Sequence, residues 1–313
     1  MDAATFPEFA RPWWLCSTHL ETVWARRLGP HPTWRRELAS TPDGDVVAFD
    51  FLDGEPGQPR LVMFHGLEGC SRSHTVRQCA AWFNARGWSV AVPHFRSCGV
   101  MNRLPRAYHA GDTADCRWML NYARLEEGPT YAAGVSLGGN VLAKFLGENP
   151  GQDAVRAAAA VCPPVDLASC ARRLDRRFNR MLYGGYFMRR LRAKMLAKIE
   201  IYPFLAKARE IRRLRSIRDF DARFTAPLHG FESADDYYAK ASAQPLLAEI
   251  TTPLLLVESG NDALIPPANV PSNPAIETLR TRGGGHAGFV SAPFPGRSDW
   301  LAQALHAFFS RTL

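Results

Sequence analysis

Several features are missing from this chain of 313 residues. No apolar run approaches the ~18–20 residues that a helix needs to cross a bilayer. The seven cysteines (Cys16, Cys70, Cys79, Cys98, Cys116, Cys162 and Cys170) are scattered, odd in number and form no C-x-x-C pair. That argues against a disulfide frame or a zinc site, and for reduced thiols in a cytoplasmic protein. The opening Met1-Asp2-Ala3-Ala4-Thr5-Phe6-Pro7 has no basic start and no apolar core, so no secretory leader is expected. Repeats, low-complexity linkers and the signatures of nucleic-acid-binding modules are also lacking, so nucleic acid is not an expected partner.

What is present suits one large α/β domain over residues 1–313. Short apolar runs alternate with helical patterns. Leu61-Val62-Met63-Phe64 reads as a strand buried on both faces. Val76, Cys79, Ala80 and Phe83 follow at helical spacing. Ser89–Phe95, Tyr131–Ser136, Ala157–Cys162, Pro253–Val257 and Ile276–Thr281 continue the strands. This rhythm predicts a mostly parallel sheet flanked by helices. Residues 168–240 break it and read as a helical cap insertion. Leu174, Phe178 and Leu182 form one expected apolar stripe there, and Leu191, Met195 and Ile199 another. The aromatic stretch 6–30 is expected to pack on the main body.

Charge is uneven. Between Arg172 and Arg218 stand 13 Arg and 3 Lys against Asp175, Glu200 and Glu210, a net +13, which leaves −5 for the rest of a chain whose net charge is +8. Two readings of this segment stand: a solvated helical face, or a surface that draws anionic membranes or acyl substrates with acidic heads.

The chemistry centres on Gly134-Val135-Ser136-Leu137-Gly138. A G-x-S-x-G run between a strand and a helix lifts its serine onto a sharp turn with the hydroxyl exposed. Cleavage of an ester by serine then needs a base, an acid that orients the base, and N–H groups for the oxyanion. Acid and base follow the serine in this fold. Asp262, just past the strand at Leu254–Val257, is the expected acid, with Asp166 as its rival. His286, in Gly283-Gly284-Gly285-His286, is the expected base, and the 24 residues between them leave room for one helix and one strand. The expected oxyanion donors are the N–H groups of Leu67, in His65-Gly66-Leu67, and of Leu137. His65 itself is read as a residue that shapes its loop by hydrogen bonding. No cofactor and no metal are called for.

These residues resemble the YheT-like family of α/β-hydrolases. The resemblance rests on His65-Gly66-Leu67-Glu68-Gly69, on His94-Phe95-Arg96-Ser97-Cys98-Gly99 with Asn102-Arg103, on Tyr108-His109-Ala110-Gly111-Asp112-Thr113, and on the elbow. It spans nearly the whole chain, from Trp14-Leu15 and His19-Leu20-Glu21-Thr22 through Asp236-Tyr237-Tyr238 to Gly285-His286. It implies an α/β-hydrolase fold, a triad of Ser136, Asp262 and His286, and cofactor-free hydrolysis of a small-molecule or lipid carboxylic ester through an acyl-enzyme. Thioester hydrolysis or acyl transfer by the same triad is the alternative, and a non-catalytic lipid-binding role a further one. Three departures stand out: Glu21 where the family usually has Gln, Ser97 where it usually has Gly, and Asn261-Asp262-Ala263 where it often has Asp-Asp-Pro. The sequence carries no information on acyl length, head group or subunit number.

Overall fold

The computed structural model describes residues 5–312; residues 1–4, on which part of the leader reading rests, lie outside it. A helix α1 (Thr18–Trp24) precedes β1 (Arg35–Ser40) and β2 (Val46–Leu52), which pair antiparallel around Pro42-Asp43-Gly44. Then come β3 (Arg60–Phe64), α2 (His74–Asn84), β4 (Ser89–Pro93), α3 (Thr113–Ala123), β5 (Thr130–Val135), α4 (Leu137–Glu148) and β6 (Ala158–Val161). The strands β7 (Leu254–Ser259) and β8 (Ile276–Thr281) complete the sheet, and the helix Trp300–Ser310 packs behind it.

The sheet has eight strands in the order β1-β2-β4-β3-β5-β6-β7-β8, parallel from β4 to β8. Alternate residues of the central strands serve two cores. Val62, Phe64, Ala132, Ala158 and Leu254 face one, while Leu61, Met63, Tyr131, Ala159 and Leu255 face the other. Burial on both faces is why these strands read as unbroken apolar runs. β3 lies between β4 and β5, so the chain changes direction across the sheet there. Loops leaving the carboxyl ends of β3 and β5 meet at this switch point, where open α/β sheets bind ligands.

Between β6 and β7 the chain is helical. It runs through α5 (Leu167–Leu174), several short turns, α6 (Gly185–Ile201), Ala208–Arg213 and Ala234–Ala241. Met188, Leu191, Met195, Ile211, Phe220 and Phe224 give this layer a core of its own. The two expected stripes fare differently. Leu191 and Met195 are buried, whereas Phe178 and Leu182 are largely exposed. The chain breaks after α5 and widens into a π-helical turn at Arg180–Gly184, which carries Phe178 and Leu182 off their helical spacing.

Other expectations also need correction. Between Asp262 and His286 the strand β8 is present but the helix is not, and 260–275 is irregular, because Pro266, Pro267, Pro271 and Pro274 remove donors and block helical geometry. In the N-terminal stretch Trp14, Leu15 and Trp24 do pack with Val290, but Trp13 is 90% exposed. Ser97 sits at φ +61°, which accounts for the glycine that the resemblance puts there. No helix among the described residues is long and apolar enough to cross a membrane.

Asp221 is buried in the helical layer, its two oxygens accepting from Thr225 Oγ1 (2.6 Å) and Tyr238 OH (2.8 Å). Burial outweighs these bonds and pushes its pKa up to about 6 from an ordinary 3.8. A carboxyl raised on folding binds its proton more tightly in the native state, so its contribution is fully present below about pH 4 and is lost as the pH rises through about 6. The window is worth up to about 3 kcal/mol. Urea unfolding of the parent and of Asp221→Asn at several pH values should show the variant gaining on the parent across this window. A stability difference that stays flat with pH would mean that Asp221 titrates as an ordinary carboxyl.

Candidate active site

Ser136 occupies the turn between β5 and α4 with φ +53° and ψ −121°. Only small neighbours permit that turn. A Cβ on Gly134 would stand 2.3 Å from the carbonyl oxygen of Gly138. One on Gly138 would stand 2.6 Å from that of His65. The elbow glycines are therefore required by close approach of backbone to backbone, not by flexibility.

The structure brings three of the expected residues into one hydrogen-bonded chain. His286 Nε2 lies 3.0 Å from Ser136 Oγ, and His286 Nδ1 lies 2.8 Å from Asp262 Oδ2. Asp262 is buried, and its Oδ1 accepts the N–H groups of Leu264 (2.7 Å) and Ile265 (3.0 Å). With its carboxylate held on both oxygens, Asp262 fixes the proton of His286 on Nδ1 and leaves Nε2 to face the serine. Asp166 lies apart from this chain; it caps α5 by accepting from Ser169 N–H (3.0 Å) and Ser169 Oγ. The N–H groups of Leu67 and Leu137 donate to no acceptor among the described residues. A Cβ on Gly66, one residue before Leu67, would lie 3.3 Å from Ser136 Cβ, so the loop after β3 presses directly on the elbow.

His65 shapes that loop. Its Nδ1 donates to the carbonyl of Gly66 (2.8 Å) and its Nε2 accepts the N–H of Phe95 (3.2 Å). Burial, then the neighbouring His94, lowers its pKa to about 3, so the ring is neutral and keeps one tautomer.

Sequence reasoning missed the residues that hold the loops in place. Glu21 on α1 is buried, takes an ion pair from Arg11 (2.8 Å), and accepts from Asn261 Nδ2 (2.9 Å) and from the N–H of Gly284. Thr22 Oγ1 accepts the N–H of His286 itself (2.9 Å). One helical turn thus anchors both the acid loop and the histidine loop. The departure from Gln to Glu at position 21 gains an ion pair with Arg11. On the other side, Glu68 sits at φ +54° beside Leu67. Its N–H donates to Tyr108 OH (2.8 Å), and its carboxylate accepts from Tyr108 OH (2.9 Å) and from Lys194 of α6. Lys194 and Lys198 are both buried, and Lys198 donates to Asn102 Oδ1 (2.9 Å). Two lysines spaced four apart thus leave the solvated face and tie α6 to the loops below. Their one sequence signal is that spacing, on the same side as Leu191 and Met195.

The long His94–Thr113 signature turns out to be a structural knot. Arg96 is buried and donates to Asp45 (2.7 Å) and to both oxygens of Asp115 (2.6 and 2.8 Å), and Asn102 Nδ2 donates to Asp45 (2.6 Å).

Among the described residues, Cys162, Asp262 and His286 are the one group spaced as metal ligands, their donor atoms lying within 4.8 Å of each other. Both nitrogens of His286 are already engaged. Burial and then Asp262 hold the Cys162 thiol well above its ordinary pKa, so the thiolate that a metal needs is disfavoured.

Two cavities open onto Ser136 and His286. One, of about 130 Å³, is lined mainly by apolar groups such as Leu67, Leu137, Leu167, Leu191, Phe224 and Tyr237. The other, of about 400 Å³, is lined by Arg26, Arg72, Arg190, His31 and the start of α2.

Residues 59–293 match the family model described as the alpha/beta hydrolase fold. The chain is 35% identical over 301 residues to the protein named "Putative esterase YheT" of Escherichia coli (strain K12), covering 92% of this chain and 87% of that one. It is 26% identical to human phospholipase ABHD3, over 89% of this chain and 72% of the relative. Among solved structures, the Pyrococcus furiosus esterase Pf2001 superposes with a TM-score of 0.55 at 15% identity, over 91% of this chain and 98% of that one.

The buried Glu68–Lys194 pair joins the loop carrying Leu67 to α6. Lys194→Met alone strands a buried carboxylate and should cost about 3–5 kcal/mol in urea unfolding. Combining it with Glu68→Gln should recover at least half of that loss. A double variant as unstable as the worse single one would place the cost in packing rather than in charge.

Proposed function

From a chain that belongs to the α/β-hydrolase fold family, in its YheT-like branch, we propose a serine esterase that cleaves carboxylic esters through an acyl-enzyme. The reading is carried by the hydrogen-bonded series Ser136–His286–Asp262, set at the ends of β5, β8 and β7, with two unengaged N–H groups beside the serine. In the first half-reaction, His286 Nε2 takes the proton of Ser136 as Oγ attacks the ester carbonyl carbon. Asp262 holds Nδ1–H and stabilises the imidazolium. The N–H groups of Leu67 and Leu137 receive the oxyanion. Collapse breaks the bond to the alcohol oxygen, which leaves with the proton from His286. Water then gives a proton to His286 and attacks the acyl-serine. A second collapse releases the acid and restores Ser136.

The helices between β6 and β7 act in this reading as a cap over a single domain, and the apolar cavity beneath them receives the acyl chain. A space of about 130 Å³ takes an apolar group of about six carbons, so short-chain esters are the fitting test substrates. His109, on the wall of this cavity, stays neutral because burial, then His229, lowers its pKa to about 3.

Ser136→Ala should reduce hydrolysis of p-nitrophenyl butyrate by at least about a thousandfold. Its thermal midpoint should barely move, since alanine meets the same backbone demand. Turnover at the parent's rate in this variant would overturn the assignment.

A further inference from the structure

The second cavity at Ser136 has a chemistry that ester hydrolysis by itself does not require. Arg26 and Arg190 stand over the same ring, Tyr186, at 4.9 and 5.7 Å, and Arg190 also donates to Tyr186 OH (3.4 Å). The two exposed guanidiniums thereby share one aromatic platform on the cavity wall. Among the described residues no carboxylate lies within 4 Å of Arg26, Arg190 or Arg72. This contrasts with Arg36, Arg96, Arg106, Arg218 and Arg280, each of which pairs with an acid. The helix α2 adds to the field. It is 11 residues long, and its N-cap Ser73 makes no side-chain capping bond, because Ser73 Oγ accepts the N–H of Cys70 instead (3.1 Å). The first-turn N–H groups of α2 and the positive end of its dipole therefore face the cavity. His74, on the same wall, is neutral, its pKa lowered to about 3 first by burial and then by Arg26.

Resting on the esterase reading, we propose that this cavity binds the alcohol half of the substrate, and that this half carries an anionic group, phosphate or carboxylate. The allocation follows from polarity. An acyl chain laid among the guanidiniums would strip their water and return no hydrogen bond, whereas the neighbouring apolar cavity returns contact area. An anion can be chelated by two or three guanidiniums. The alcohol oxygen must also leave toward His286, and the wall of the arginine cavity includes Ala287, the residue next to it. Binding the anion engages arginines that no acid engages and holds the scissile bond over Ser136.

The test compares butyryl esters of glycerol 3-phosphate, glycerate and glycerol by butyrate release, with p-nitrophenyl butyrate as a control. The kcat/KM for the anionic esters should exceed that for the glycerol ester, and high salt should narrow the gap. Arg26→Gln, Arg72→Gln and Arg190→Gln should each lower the ratio of anionic to neutral kcat/KM about tenfold. The ratio also separates a binding defect from a folding defect, which lowers both rates together. A preference for the phosphate ester alone, lost in the arginine variants, supports the proposal and identifies the anion. Equal rates on all three esters, with ratios unmoved by the arginine variants, overturn it while the esterase reading stands. If p-nitrophenyl butyrate and all three esters are inert, the esterase reading itself fails.

Discussion

Holding Ser136 at a positive φ costs about 1–3 kcal/mol, and the chain keeps that conformation because nothing around it can relax. β5 is hydrogen-bonded between β3 and β6, and the N–H of Ser136 itself donates to Val161 (2.8 Å). α4 begins at the next residue, with the N–H groups of Gly139 and Asn140 bonded back to the carbonyl of Ser136. Strand and helix are buried on every side, so the turn between them absorbs the mismatch. Gly134 and Gly138 allow the two backbones to approach closely enough for this. The proposed nucleophile is therefore positioned by the sheet rather than by its own side-chain contacts.

A fixed serine is useful only if the loops facing it are equally fixed, and none of them is held by the sheet alone. The histidine and acid loops are long, glycine- or proline-rich and without helix. Glu21 and Thr22 supply what the loops lack by taking backbone and side-chain donors from both. Across the site, Glu68 does the same for the loop carrying Leu67, with Tyr108 and Lys194 as its partners. Two buried carboxylates thus brace the two sides of the site, each satisfied by several donors, the condition under which buried charge is tolerated. α1 precedes the sheet and α6 lies between β6 and β7, yet they serve the same mechanical purpose.

This division explains what the sequence made legible. The strands, the parallel sheet and the elbow could be read because burial on both faces and close backbone packing restrict composition locally. The order of Ser136, Asp262 and His286 could be read because all three sit just beyond strand ends. The braces could not, since Thr22 and His286 are 264 residues apart and nothing near either one signals the other. Apolar spacing identified the stripe at Leu191 and Met195 but failed for Phe178 and Leu182, where a π-helical turn shifts the register. The stretch His94–Thr113 carried much of the family resemblance without saying what its polar residues do. Its buried Arg96 and Asn102 spend those groups on Asp45 and Asp115, so it fixes the shape of the molecule near the site.

The excess of positive charge between Arg172 and Arg218 looks like one property and separates into three. Lys194 and Lys198 are buried and neutralise or satisfy groups beneath α6. Arg218 pairs with Asp235 at the surface, and the segment's own Glu210 pairs with Arg223 from beyond it, where such pairs add little. Arg190 belongs to neither class: it joins Arg26, from far outside the segment, around Tyr186. A sum over sequence cannot distinguish these fates, because what decides them is whether an acid has been placed opposite. At the cavity beside Ser136 no acid pairs with Arg26, Arg72 or Arg190 among the described residues, since Glu68 on its wall is engaged by Lys194. Uncompensated positive charge at one mouth of the serine and apolar walls at the other give the site a polarity. That polarity selects which end of an ester faces which cavity before any bond is broken.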